Sequence, residues 1–202
     1  MIQVKSITGQ GKRSSNLDLF FPVSEHIFLI LDGYGSTQYE DIFDFCRQIS
    51  FENYDYLEDL INKIQKLNPN FKSCITLLEI RGTIIRYFYL GDIRIYVNSI
   101  LVTEDHSYAW KLLERTKCFS REKIAGKCLN HKYRNQIYKN IENIGEYKHD
   151  IVEINIDLPA EVLICTDGYW ALEHKAIIES KNYSLKELIS EDNYSAILFL
   201  IN

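Results

Sequence analysis

The sequence predicts an α+β fold in which two mostly antiparallel sheets are covered by helices. Apolar and β-branched runs typical of strands are numerous, and most of them follow one another directly. Amphipathic helical patterns stand between these runs in groups, not one after every strand as in a parallel doubly wound sheet. Two stacked sheets accommodate this number of strands. The 202 residues, 46% hydrophobic and 25% charged, predict one folded domain over 1–202.

The strands are predicted from short runs rich in Val, Ile, Leu, Phe and Tyr. In chain order they are LDLFFPV (17–23), EHIFLILD (25–32), CITLLEI (74–80), TIIRYFYLG (83–91), IRIYVNSILV (93–102), DIVEINI (150–156), EVLICTD (161–167) and YSAILFLI (194–201). Several runs are separated by only a few residues, so we expect antiparallel pairing.

The helices are predicted from apolar residues spaced three and four apart. The clearest is YDYLEDLINKIQKL (54–67), whose apolar face should pack on a sheet. The others are YEDIFDFCRQI (39–49), SYAWKLLERTK (107–117), SREKIAGKC (120–128) and RNQIYKNIEN (134–143). Ser120 is a plausible helix start.

Charge and composition exclude several classes of function. The net charge is -5 and the basic residues are dispersed, so neither nucleic acid nor an anionic membrane is an expected partner. The five cysteines lack the close spacing of zinc or redox motifs. The first residues lack the apolar core of a signal peptide, and no run approaches the ~20 apolar residues of a membrane span. We therefore expect a cytoplasmic protein.

Three aspartates stand at the ends of apolar runs. Asp32 ends HIFLIL, Asp167 ends EVLICT, and Asp192 lies just before YSAILFLI. An Asp-Gly pair alone more often closes a hairpin than binds a metal. The residues after Asp32-Gly33 and Asp167-Gly168 do not form an alternating strand, however, so a hairpin is disfavoured. The aspartates are predicted to project from the rim of a sheet.

Carboxylates that converge repel one another unless a cation neutralises them. Hard oxygen ligands favour Mg²⁺ or Mn²⁺. Two such ions can activate a bridging water and direct it at a phosphorus atom. The pattern therefore predicts hydrolysis of phosphate esters without a protein nucleophile.

Short segments recur in one order along nearly the whole chain. They are Arg13 with Asn16, Leu17 and Asp18, then DGYG (32–35), GDIR (91–94), VTEDHS (102–107), HKYRN (131–135), TDG (166–168) and Asp192-Asn193. Together they resemble the motifs of the type 2C metal-dependent (PPM) serine/threonine protein phosphatases, in their short bacterial form. The resemblance implies a four-layer α-β-β-α sandwich with the metals in a cleft at one edge of the sheets.

The resemblance also implies roles for the acidic residues. Asp32 would bridge both metals, the Gly33 carbonyl would contact one of them, and Asp167 and Asp192 would hold the other. Asp92 matches an aspartate that helps to bind a third, looser metal in bacterial members. The alternative is that Asp92 is only a turn residue between paired strands. The implied cofactors are two Mn²⁺ or Mg²⁺ ions and a weak third one.

Three further residues bear on activity. Arg13 would grip the substrate phosphate, because its planar guanidinium can donate two hydrogen bonds, although a solvated arginine is the alternative. Leu17 stands where the family has a metal-binding glutamate, so water or Asp18 would have to complete that metal's shell. His106, within EDHS, is expected to orient loops and not to perform chemistry.

The leading hypothesis is a monomeric phosphatase of serine/threonine phosphoproteins, acting opposite a cognate kinase in bacterial signalling. Leu17 motivates the alternative, a weakened or inactive phosphatase-fold domain that binds phosphoproteins as a regulatory module. A phosphatase of small phosphoesters is a third hypothesis. Residues 110–147 would form the flap beside the cleft, where substrate choice is tuned.

Overall fold

A computed structural model describes residues 1–50, 52–147, 150–180 and 182–202. The strands are β1 (Ile2–Gly9), β2 (Asp18–Pro22), β3 (Ile27–Gly33), β4 (Ser73–Arg81), β5 (Ile84–Leu90), β6 (Arg94–Val97), β7 (Ile100–Leu101), β8 (Val152–Asn155), β9 (Ala160–Cys165) and β10 (Tyr194–Ile201). The helices are α1 (Tyr39–Ser50), α2 (Leu57–Leu67), α3 (Tyr108–Glu114), α4 (Arg121–Cys128) and α5 (Asp167–Glu179), with a 3-10 helix at Ile141–Glu146.

The chain divides into two compact units. The first comprises Met1–Asn16, Gly91–Lys139 and Pro159–Asn202, and the second comprises Leu17–Leu90 and Asn140–Leu158. Each unit contains one five-stranded sheet. All strand pairs within the two sheets are antiparallel.

The sheet of the first unit has the order β1-β10-β9-β6-β7. Helices α3, α4 and α5 supply buried side chains to one core with this sheet, including Trp110, Cys128 and Tyr169 against Leu163 and Leu198. Burial of such side chains is the main stabilising contribution in this unit. The core anchors the end of β9 and the start of α5, where Asp167 lies.

The sheet of the second unit has the order β2-β3-β4-β5-β8. The apolar faces of α1 and α2 pack on it through Ile42, Phe45, Leu60 and Ile64. The inward positions of β3 complete this core, because side chains alternate between the two faces of a strand. This core sets the direction of every side chain on β2 and β3.

The predicted α+β class, with two antiparallel sheets covered by helices, is confirmed, and so are most of the predicted elements. The run 93–102 is split into β6 and β7 by a tight turn, in which Asn98 and Ser99 have φ of 49° and 66°. Strand β1 was not predicted. It is an edge strand that pairs with β10, and its mostly exposed side chains give it no apolar run. The single domain over 1–202 stays a prediction.

The predicted helix at 134–143 is wrong. Its backbone instead pairs with the segment before α3, where Tyr108 N donates to Gln136 O at 2.9 Å and Tyr138 N donates to His106 O at 3.0 Å. These two bonds hold residues 136–138 in place, residues 134–135 lie in a turn, and only the end of the segment enters the 3-10 helix, which Asn140 caps. Among the described residues, no helix is both long and apolar enough to cross a membrane.

Candidate metal centre

The first unit brings Asp167 and Asp192 to the same sheet edge. Asp167 is the first residue of α5, just after β9, and Asp192 precedes β10, the antiparallel neighbour of β9. Thr166 N donates to Ser195 O at 3.0 Å, and Ser195 N donates to Thr166 Oγ1 at 2.9 Å. A Cβ at Gly168 would lie 1.8 Å from a backbone oxygen of the Asp192 loop. Only glycine permits this close approach of the loop to α5.

The two carboxylates of this pair influence each other. Burial, first, and the negative charge of Asp192, second, raise the pKa of Asp167 from 3.8 to about 6. Arg134, the Gly168 N–H and Arg13 act in the opposite direction. A half-buried carboxyl beside a second carboxylate favours a cation. The donor set of Asp167 and Asp192 therefore fits Mg²⁺ or Mn²⁺.

Arg13 pairs with Asp192 through both carboxylate oxygens. Its Nε donates to Oδ1 at 2.7 Å and its Nη2 donates to Oδ2 at 2.6 Å. The adjacent residues form a second ion pair, Lys12 with Glu191, at 2.5 Å. Gly11 has a φ of 60°, and a Cβ there would lie 2.1 Å from the Asp192 carbonyl oxygen. These contacts hold the loop of Arg13 directly on the loop of Asp192.

The second unit pairs Asp18 with Asp32. The two residues lie directly opposite each other in the antiparallel β2–β3 ladder. Directly opposed side chains lie on the same face with Cβ atoms about 5 Å apart, and like charges there are destabilising. Asp18 is only 8% exposed. Asp18 and Asp32 therefore also fit a shared cation, with Gly33 beside them at the end of β3.

Leu17 faces the opposite side of the second sheet. It packs with Leu19 and Phe21 against the core beneath α1. A Cβ at Gly33 would lie 3.0 Å from the Leu17 Cβ and 2.8 Å from Ile42 Cδ1, so this contact leaves no room for a side chain at Gly33. Gly33 N also donates to Leu17 O at 3.1 Å. The apolar side chain thus belongs to the core, and Asp18 is the carboxylate on the face of Asp32.

Asp92 lies between two strands that do not pair with each other. Strand β5 pairs with β4 and β8, whereas β6 pairs with β7 and β9. The interpretation of Asp92 as a turn residue between paired strands is therefore wrong. Asp92 is 6% exposed, and its carbonyl oxygen accepts the Trp170 Nε1–H at 2.9 Å.

The contribution of Arg134 in the first unit was not assigned from the sequence. Arg134 lowers the pKa of Asp167, although HKYRN gave no role for it. His106 accepts the Gly91 N–H on Nδ1 at 3.1 Å, next to Asp92, which agrees with the expected orientation of loops. Burial lowers the pKa of His106 to about 3, so its ring is neutral near pH 7. The charge of Arg134 acts across the fold, which motif spacing does not reveal.

The predicted site residues thus form local groups. Arg13, Asp167 and Asp192 lie together in the first unit, which also contains Asp92. Asp18, Asp32 and Gly33 lie together in the second.

The sequence matches no protein-family model and no curated protein. Solved structures do match the fold. PppA, described as a key regulatory component of T6SS in Pseudomonas aeruginosa, is 18% identical, with a TM-score of 0.74 over 98% of this chain and 97% of that chain. The S. agalactiae serine/threonine phosphatase is 16% identical, with a TM-score of 0.74 over 100% of both chains.

A third match contains metal. The catalytic domain of the serine/threonine phosphatase PstP, in complex with 2 manganese ions, is 12% identical, with a TM-score of 0.69 over 100% of this chain and 99% of that chain. Identities this low show the fold alone. The predicted resemblance to the PPM phosphatases is thereby confirmed at the level of the fold.

Proposed function

We propose that this chain is a metal-dependent phosphatase of serine/threonine phosphoproteins and belongs to the PPM family. The observation that carries the proposal is the pairing of carboxylates, Asp167 with Asp192 and Asp18 with Asp32, on a fold shared with such phosphatases. Each pair places like charges side by side, which is costly without a cation. Hard divalent ions are the cations that such ligands prefer.

The two carboxylate pairs are assigned to different cations. Asp32 and the Gly33 carbonyl, supported by Asp18, would hold one cation, and Asp167 and Asp192 would hold another. Bound there, the cations supply an activated water for attack on phosphorus. Manganese is the first ion to test, because the PstP structure is described with 2 manganese ions.

Arg13 is proposed to bind the substrate phosphate. Its side chain is 60% exposed, and its guanidinium lies at Asp192. A planar guanidinium that reaches a carboxylate through two N–H groups can present the same fork to phosphate oxygens. Arg13 thereby orients the phosphoryl group beside the residues that bind metal.

Leu17 favours a second candidate function, a weakened or inactive domain that binds phosphoproteins without hydrolysing them. Leu17 lies in the apolar core and offers no ligand, so the second unit has one carboxylate fewer than the family pattern. PppA, which has the same fold, is described as a regulatory component. Binding of a phosphopeptide without turnover would support this candidate.

The test is hydrolysis of a phosphoserine or phosphothreonine peptide with and without Mn²⁺. We expect turnover that EDTA abolishes and that Asp32→Asn lowers by at least 100-fold. Circular dichroism verifies that the variant is folded, and a panel of small phosphoesters tests the hypothesis that the protein acts on small molecules. Turnover that does not exceed that of Asp32→Asn in folded protein would overturn the enzymatic proposal.

We also propose where the protein acts. A phosphoprotein substrate implies a cognate kinase, and we place the phosphatase and this kinase in the cytoplasm. Residues 110–147 contain α3 and α4 and are proposed to contribute to the choice of substrate.

A further inference from the structure

The turn Gly91–Asp92 is held by contacts from two directions. Gly91 N donates to His106 Nδ1 at 3.1 Å, and His106 N donates to Gly91 O at 2.8 Å. On the other side, Trp170 Nε1 donates to Asp92 O at 2.9 Å. The peptide groups on both sides of the Asp92 side chain thus form a hydrogen bond.

Gly91 explains why this turn needs external contacts. Its φ of 104° is a conformation that residues with a side chain rarely adopt. The same freedom makes a glycine turn costly to order, because glycine loses more conformational entropy than any other residue. The reciprocal hydrogen bonds with His106 remove that freedom at Gly91.

His106 is itself fixed in place. Tyr138 N donates to His106 O at 3.0 Å, and the Tyr138 ring meets the imidazole edge-on at 5.9 Å. Because Nδ1 accepts the Gly91 N–H, the ring proton resides on Nε2. An apolar side chain at this position would leave the Gly91 N–H without its acceptor.

Asp105, the residue next to His106, fixes Trp170 through Arg94. Asp105 accepts two hydrogen bonds from Arg94, at 2.9 Å and 2.8 Å, and the Arg94 guanidinium lies 3.6 Å from the centre of the Trp170 ring. Arg94 and Asp105 are both buried. The pair Asp105-His106 therefore supports both ends of the turn, directly at Gly91 and through Arg94 and Trp170 at Asp92.

We propose that His106 and Trp170 are positioning residues that hold the Asp92 carboxylate ready for a weakly bound divalent cation. A buried carboxylate is a suitable hard ligand for such an ion. Residues that orient a ligand without touching the metal typically change metal affinity by about 10–100-fold. The inference rests on the proposed function only for the use made of the cation.

The first test compares His106→Leu with His106→Asn. Leucine removes the acceptor, whereas the Asn Oδ1 atom restores one near the position of Nδ1. His131→Leu is the matched control, because His131 Nδ1 also accepts a backbone N–H, from Tyr133 at 3.2 Å. Hydrogen exchange of the Gly91 amide, followed by ¹⁵N NMR in metal-free protein, should accelerate at least about tenfold in His106→Leu only.

The second readout is a Mn²⁺ titration followed by electron paramagnetic resonance. In His106→Leu the weakest Mn²⁺ should bind about 10–100-fold less tightly, while the tighter ions are unaffected, and His106→Asn should recover most of the affinity. If His106→Leu does not fold, Trp170→Phe serves instead. It keeps a ring beneath Arg94, removes only the N–H donated to Asp92 O, and should weaken the same ion.

Unchanged exchange and unchanged Mn²⁺ affinity in folded His106→Leu would overturn the inference, as would equal losses in His106→Leu and His106→Asn. Neither measurement requires turnover. If the wild type proves inactive but the Gly91 amide and the weakest Mn²⁺ respond as described, the proposed function fails and the positioning role stands.

Discussion

The two carboxylate pairs are built by different means. Asp167 and Asp192 meet where a helix starts and a loop ends, and Arg13 binds Asp192 through both of its oxygens. Asp18 and Asp32 are placed opposite each other by the hydrogen-bonded register of β2 and β3. The first pair includes an exposed basic partner, whereas the second is fixed by backbone pairing. Replacement of a residue should therefore have different consequences in the two units.

The neighbours of the pairs differ in the same way. In the first unit, the ion pairs of Lys12 with Glu191 and of Arg13 with Asp192 hold the two loops together, so loss of a charge there should also shift the loops. In the second unit, Leu17 next to Asp18 points into the core beneath α1. A one-residue change of register would exchange the faces of Leu17 and Asp18. A glutamate at position 17 therefore could not reach the face of Asp32 without disturbing the core of the second unit.

After Asp32→Asn, the largest expected effect in the second unit is that of Asp18→Asn. Asparagine keeps the shape of the side chain and removes the negative charge opposite Asp32. We expect kcat/KM for a phosphopeptide to fall about 100-fold and the required Mn²⁺ concentration to rise. A Mn²⁺ titration of turnover measures both quantities.

The matched control for that change is Asp44→Asn. Asp44 is exposed on α1 in the same unit and forms an i,i+3 ion pair, at 3.7 Å, with Arg47. This variant should keep wild-type kcat/KM. A loss of less than about threefold in Asp18→Asn would show that Asp18 does not complete the shell of the second unit.

Leu17→Glu should have the next largest effect, on stability. The glutamate would place a charge among Gly33, Ile42 and the core beneath α1, so the free energy of unfolding should fall by about 2 kcal/mol. Urea denaturation measures this change, and Leu17→Met, which conserves volume, should cost less than about 1 kcal/mol. Activity should not rise. A gain in turnover at unchanged stability would mean that position 17 can reach the metal-binding face.

Much of this contrast is visible in the sequence, because strands alternate. Leu17, Leu19 and Phe21 recur with a period of two, which places Asp18 on the other face. The ends of apolar runs at Asp32 and Asp167 also indicate the rims of sheets. The sequence could not predict the register that sets Asp18 opposite Asp32, since a shift of one residue is equally compatible with the pattern of β3.

The errors have a common physical cause. Residues 134–143 have helical spacing, but hydrogen bonds from Tyr108 and Tyr138 hold residues 136–138 in a non-helical conformation. Strand β1 has little apolar character because it lies at a sheet edge and gains its pairing from β10. The closeness of Asp167 and Asp192 likewise follows from the pairing of β9 with β10. In each case, partners distant in the sequence decide the local structure.

The smallest expected effect belongs to Asp167→Asn in metal-free protein. The folded pKa of Asp167, about 6, is above its ordinary value of 3.8. Between these pH values the folded state binds more protons than the unfolded state, so the free energy of unfolding falls as pH rises through this window. The penalty is absent below about pH 4 and complete above about pH 6. The full shift corresponds to about 3 kcal/mol, but the Asp167 side chain is only half-buried and solvent screens part of the repulsion. Asparagine removes the penalty, so the variant should be about 1 kcal/mol more stable than wild type at pH 7.5 in EDTA.

Urea denaturation at pH 7.5 and pH 4 tests this expectation, with the exposed Asp157→Asn as the control. The gain should vanish at pH 4, and Asp157→Asn should show no gain at either pH. Saturating Mn²⁺ should reverse the order at pH 7.5, because a cation that binds only the folded wild type stabilises it by mass action. If Asp167→Asn is instead less stable than wild type in EDTA, Arg13 and Arg134 already offset the repulsion from Asp192. The first pair would then tolerate the absence of metal, and the contrast with Asp18 and Asp32 would be greater.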